Sequence, residues 1–145
     1  MSYSKNAPKS TASLIPDSEL KKIITGDLVE SAKLTNQHGS TVGEKLANKL
    51  NTTQIRNIFG MVRQIEMTWD SEPENAQRQL ILLIPKLRYQ TERKPEVEEL
   101  AKLLIDAIYI VTDEKTVTPP IRDRFQRFVD MFEAILAYHK ANGGK

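Results

Sequence analysis

The chain closes on FQRFVDMFEAILAYHKANGGK, residues 125–145. At about 100° per residue in a helix, Phe125, Phe128, Val129, Phe132, Ile135 and Leu136 fall on one stripe, and His139 continues it. A stripe of this kind is stable only when buried against other elements. The aromatic residues therefore read as core and not as a platform for stacking bases. His139 reads as a partly buried histidine at the end of that core. Arg127, Met131 and Tyr138 share the other side of the helix, which predicts an outer face open to a partner.

The same periodicity recurs upstream. TTQIRNIFGMVRQIEMTW (52–69) places Ile55, Ile58, Phe59, Val62, Ile65 and Trp69 at helical spacing. Thr52 or Thr53 is the expected N-cap, since a threonine hydroxyl accepts a bond from an orphan backbone amide. ENAQRQLILLIPKLRY follows Pro73, a tolerated first helical residue. Pro85 lies inside that pattern, removes one backbone hydrogen bond and predicts a kink. Pro95 opens a further helix, and Pro119 and Pro120 precede the last. Residues 17–50 carry patchier spacing around Gly26, Gly39 and Gly43, which predicts short helices and loops, with His38 solvated in the loop NQHGS. Residues 1–16 are rich in Ser, Lys, Pro and Ala and read as a flexible N-terminal tail. No stretch alternates like a strand. The fold class predicted is all-α, one compact bundle of about five to seven helices over residues 17–145.

Composition narrows the chemistry. The 145 residues carry 21 basic and 19 acidic side chains, a formal charge of +2, and no cysteine. Disulfides, thiolate metal sites and cysteine nucleophiles are excluded. The two histidines, His38 and His139, are not spaced as a metal pair. No phosphate-binding loop, dinucleotide fingerprint or nucleophile elbow is present. The expectation is a protein with no catalytic residues, no metal and no cofactor. No apolar run is long enough to span a bilayer and no signal-peptide pattern opens the chain, so a soluble, cytoplasmic location is expected.

The near-neutral total hides local clustering. Arg56 and Arg63 project from one side of their helix beside its apolar stripe. Beyond Pro85 come Lys86, Arg88, Arg93 and Lys94, opposed only by Glu92, and Lys86, Tyr89 and Arg93 share a side if the helix continues. A cationic rim of this kind suits nucleic-acid phosphates. It is equally what a solvated helix face with i,i+4 ion pairs looks like, so the residues alone leave both readings open.

Three stretches point further. LNTTQIRNIFGMVRQIE (50–66), LIPKLRYQTER (83–93) and FVDMFEAILAYHKANGGK (128–145) resemble, in order and spacing, the small helical subunit of type III-A CRISPR effector complexes, the Csm family. Together they cover about a third of the chain. The resemblance implies a non-catalytic filament unit. Several copies would stack along the groove where CRISPR RNA and target RNA pair, opposite the backbone subunits and joined at one end to the large polymerase-type subunit. Contact that accepts any guide must read duplex shape and backbone, not sequence. On that reading Arg56, Arg63, Lys86, Arg88, Tyr89 and Arg93 are candidates for RNA contact, and Arg127 and Tyr138 for contact between subunits. The related type III-B small subunit and a free-standing helical adaptor without an RNA role are the alternatives.

Overall fold

The computed structural model describes residues 13–145. It contains α1 (Asp17–Thr25), α2 (Leu28–Ala47), α3 (Thr52–Trp69), α4 (Pro73–Arg93), α5 (Glu98–Val111) and α6 (Ile121–Ala141), with a single 3-10 turn, Pro95–Val97, leading into α5. No strand occurs among the described residues, as the all-α expectation requires. Helices α3, α4, α5 and α6 close a ring, each packed on the next, with α6 returning to α3. Helix α1 lies against α5 and α6. Helix α2 packs on α1 and α6 and nowhere on α3 or α4.

Helix α6 is the centre of the bundle because four helices surround it. Phe125, Phe128 and Phe132 are completely buried. Phe125 stacks on Trp69 of α3 with ring centroids 4.5 Å apart, and Phe132 meets Phe59 edge to face at 5.1 Å. The expected open face of α6 is only partly there. Met131 is fully buried, because α1 and α2 cover the flank that the stripe alone would leave to solvent.

The region 17–50 differs most from expectation. Instead of short helices and loops it forms α1 and the 20-residue α2, which runs straight through Gly39 and Gly43. Those glycines are where α2 meets α6. A Cβ on Gly43 would lie 2.6 Å from the Tyr138 Cβ and 2.7 Å from the His139 backbone nitrogen; one on Gly39 would lie 2.7 Å from the Ala134 Cβ. The intrinsic helical cost of two glycines, about 1 kcal/mol each, is offset by this close approach. His38 is accordingly inside a helix, buried, with its Nε2 against the Glu19 carboxylate of α1; the solvated loop does not exist. Ile15 is completely buried and Leu14 packs on the core. The packed chain thus begins before Pro16, because two adjacent apolar side chains anchor it. The rest of the expected tail, residues 1–12, lies outside the described residues.

A smaller correction concerns the start of α3. Asn51, not Thr52 or Thr53, caps α3: its side chain accepts from the Gln54 amide at 2.8 Å, and the Gln54 side chain accepts from the Asn51 amide at 3.0 Å, a capping box. Helix α4 runs on across Pro85 to Arg93, so Lys86, Tyr89 and Arg93 do stand on one continuous helix. At the other terminus Gly-Gly-Lys has a definite role. Gly143 takes a positive φ of 84°, its amide bonds Lys140 O, and the Gly144 amide bonds His139 O. This Schellman closure folds the tail back onto α3, where the Thr52 hydroxyl donates to Gly144 O. His139 is 1% exposed and its Nε2 lies 2.6 Å from Leu50 O. A carbonyl only accepts, so that nitrogen carries the proton. His139 joins the helix end to the α2–α3 corner.

Candidate nucleic-acid interface

Helices α3 and α4 pack antiparallel through the short connection 70–72; α3 buries Ile55, Ile58, Val62, Ile65 and Trp69, and α4 buries Ala76, Leu80, Leu83 and Leu87. The residues just outside this seam line a shallow groove of two adjoining depressions, about 300 and 280 Å³, which share Met61. In the first, Gln64 of α3 faces Arg78, Gln79 and Lys86 of α4. In the second, Asn57 of α3 faces Gln90 and Lys94. No carboxylate lines either depression. Glu96 stands nearby, where the Gln54 side chain donates to it at 2.7 Å. A backbone hydrogen bond, helped by Gln54, lowers its pKa and keeps it ionised.

The candidate RNA-contacting residues do not converge on one spot. Lys86 lines the groove. Tyr89 and Arg93 lie on the same side of α4, with the Arg93 guanidinium 5.9 Å from the ring of Tyr89, which is 60% exposed. Arg88 is turned away from Lys86 by about 160° around the helix axis. Arg56 and Arg63 are exposed on the flank of α3 opposite α4, the side whose Phe59 packs on α6. Arg63 is paired with Glu66 at 2.5 Å. The cations thus form two clusters on either side of α3, not a single patch. Sequence reading did not single out Arg78 or the groove amides. Arg78, Lys86 and Lys94 stand eight residues apart, about 12 Å per step along a helix, and that spacing was the available signal.

The two residues expected to meet other subunits lie across the molecule, where α2 meets α6. Arg127 donates to Gly26 O at 2.5 Å and to Ile24 O at 3.4 Å, satisfying carbonyls at the end of α1. The Tyr138 hydroxyl donates to the Asn36 side chain at 2.6 Å. Arg127 and Asn36 both line a depression of about 290 Å³ with Leu28, Ala32 and Ala134. Leu28 is 73% exposed and Val29 62%, an apolar edge beside that depression.

Arg124, also unforeseen, is 3% exposed and gathers the loop between α5 and α6. Its guanidinium donates to the carbonyls of Val111, Asp113, Thr116 and Pro119. Burial lowers its pKa and the Asp113 charge opposes that shift. The role is structural: it supplies a shared hydrogen-bond donor to four carbonyls between the end of α5 and the start of α6.

Among the described residues no group of three His, Asp or Glu side chains is placed to hold a metal ion. No described helix is long and apolar enough to cross a membrane. No curated protein and no solved structure matches the chain. The family model described as Csm2 Type III-A matches residues 29–145, a span that begins in α2 and takes in the α3–α4 groove and the whole of α6. The match covers well over half of the sequence, and the chain belongs to the Csm2 family of small subunits of type III-A CRISPR complexes.

Proposed function

We propose that the protein is a non-catalytic filament unit of a cytoplasmic type III-A effector complex, stacked in several copies along the paired CRISPR and target RNA. The single observation that carries the RNA role is the α3–α4 groove, whose lining has cations and amides but no carboxylate. Phosphate contact needs that sign of charge and makes no demand on base sequence. Lys86, Arg93 and Tyr89 supply one contact line beside the groove, and Arg56 and Arg63 supply a second on the far flank of α3. Arg88, pointing elsewhere, is assigned to whichever partner covers the outer side of α4. Neighbouring subunits, including further copies of this chain, the backbone subunits and the polymerase-type subunit, are assigned to the surfaces clear of RNA. The α2–α6 depression with Arg127 and Leu28, together with Tyr138 and Val29 near it, is the first of these.

The test is the salt dependence of target-RNA affinity in the assembled complex. Arg56, Arg63, Lys86 and Arg93 are all exposed, so replacing the four with Gln spares the core. Removal of each phosphate-binding cation should reduce the slope of log affinity against log salt by roughly 0.7 to 0.9 per copy, whatever the guide. An unchanged slope in a normally assembled complex refutes the RNA role and leaves a protein-binding adaptor.

A further inference from the structure

The two depressions of the α3–α4 groove repeat one arrangement. Each offers an amide from α3, an amide from α4 and a lysine from α4 or its C-cap: Gln64, Gln79 and Lys86 in one, where Arg78 adds a second cation, and Asn57, Gln90 and Lys94 in the other. Met61 lies between them as a shared apolar floor. Along the helices the amides are separated by about 10 Å on α3 and about 16 Å on α4, and the lysines by about 12 Å, counted at 1.5 Å per residue. A site built twice along one line suits a ligand that repeats. Taking the ~3.4 Å rise per nucleotide of a DNA strand as a ruler, the separation corresponds to about three to five nucleotides.

We infer that this groove holds the ribose–phosphate backbone of a single RNA strand, with the four amides reading 2′-hydroxyls and the two lysines holding phosphates. The inference rests on the RNA-contact reading above and adds a discrimination that phosphate contact alone cannot give. A lysine only donates hydrogen bonds and cannot tell ribose from deoxyribose. A side-chain amide both donates and accepts, and so does a 2′-hydroxyl, so the pair can be satisfied in either sense. The 2′-hydroxyl is the group by which a protein distinguishes RNA from DNA at a given position. Asn57 and Gln64 are exposed and Gln79 and Gln90 half-buried, and their side-chain amides are not engaged in the hydrogen bonds that hold the helix ends, unlike those of Asn51 and Gln54. They are positioned by their helices and turned to the groove.

The experiment uses the full chain and two fluorescent probes, a 20-nucleotide oligouridine and its 2′-deoxy counterpart, with anisotropy read over a salt series. The wild type should prefer the ribose strand by about fivefold for each ribose contact, or roughly 25-fold for one contact in each depression. Replacing Asn57, Gln64, Gln79 and Gln90 with Ala should bring ribose binding down to the deoxyribose level and leave the salt slope unchanged. Replacing Lys86 and Lys94 with Gln should weaken both strands alike, flatten the slope and retain the ribose preference. Equal wild-type affinity for the two strands overturns the ribose inference while leaving the backbone-contact reading intact. A ribose preference that survives the four alanines places the discrimination outside this groove and equally overturns it, as does failure to bind either strand at low salt.

Discussion

The sharpest test of the fold lies at Gly43. Among the described glycines only Gly143 has a positive φ, so alanine fits the backbone at Gly43 and should raise helix stability by about 1 kcal/mol if nothing else changed. Something else must change. The added methyl would sit 2.6 Å from the Tyr138 Cβ, 2.7 Å from the His139 nitrogen and 2.9 Å from the Ile135 carbonyl oxygen. Two of those three atoms are backbone, so no side-chain rotation relieves the overlap and α2 must move off α6. Overpacking a well-packed interior costs about 1 to 3 kcal/mol, and a backbone clash belongs near the upper figure. Setting about 3 against the gain of about 1 leaves a net loss of about 2 kcal/mol. For a chain of this length that is a fall in Tm of about 6 to 8 °C.

Gly60 provides the control. It lies in α3, exposed, and a Cβ there meets nothing within 4 Å. Gly60→Ala should therefore raise stability by about 0.5 to 1 kcal/mol. Thermal unfolding followed by far-UV circular dichroism should show the two alanines moving Tm in opposite directions. A Gly43→Ala protein that gains stability alongside Gly60→Ala would refute the close α2–α6 approach, and with it the explanation of why a helix tolerates Gly39 and Gly43.

Two further outcomes are expected. Arg124→Met keeps the length of the side chain but leaves the Val111, Asp113, Thr116 and Pro119 carbonyls without their shared donor, so stability should fall by about 2 to 4 kcal/mol and native trypsin cleavage at Lys115 should accelerate; an unchanged cleavage rate counts against the loop-holding role. Glu99 accepts from Lys49 at 2.6 Å and pairs with Lys45 at 3.2 Å. The Lys49 hydrogen bond chiefly, and Lys45 with it, lowers its pKa below the ordinary 4.5. A carboxyl lowered by folding contributes stability above its unfolded pKa and loses it as pH falls through the folded value. Glu99→Gln should thus be less stable than wild type in urea at neutral pH and should converge with it at the acid end. A constant difference across that range would show that Glu99 acts through something other than its charge.

How much of this was legible in the sequence depends on what each residue answers to. Helices α3 to α6 follow from apolar repeats punctuated by Pro73, Pro95 and Pro120, because local periodicity and the bundle ask for the same thing. Helix α2 was illegible because Gly39 and Gly43 satisfy a close approach to residues more than 90 positions away, while locally they read as breakers. Arg124 and Met131 are seven apart, on one edge of the α6 stripe. Met131 is buried by α1 and α2, and Arg124 by the α5–α6 connection whose carbonyls it binds, which no property of α6 announces. The basic residues of the candidate site were visible as cations. Their division between the two flanks of α3 was not, since it depends on which side of α3 receives α4. The amides were passed over for a related reason: an isolated Gln or Asn on a helix has no distinctive chemistry until another helix brings a second one opposite.

The placement of α1 and α2 bears on how the two candidate surfaces relate. The family match begins at Val29, yet Leu20, Ile23 and Ile24 of α1 are buried to within 1% and Arg127 closes the end of α1 from α6. Helix α1 therefore belongs to the same core as the matched region and covers a flank of α6 that would otherwise be apolar surface. With α1 in place, α2 is held against α1 and α6 and away from α3 and α4. The apolar edge of Leu28 and Val29 and the amide-lined groove consequently lie on different helices that never touch. Either can be altered without entering the other, so a variant that weakens assembly through Leu28 and Val29 should leave the salt slope of the α3–α4 groove unchanged. If it altered that slope while Gly43→Ala, which displaces α2 from α6, did not, the coupling would run through α1 and α5 to α4 instead of through α6.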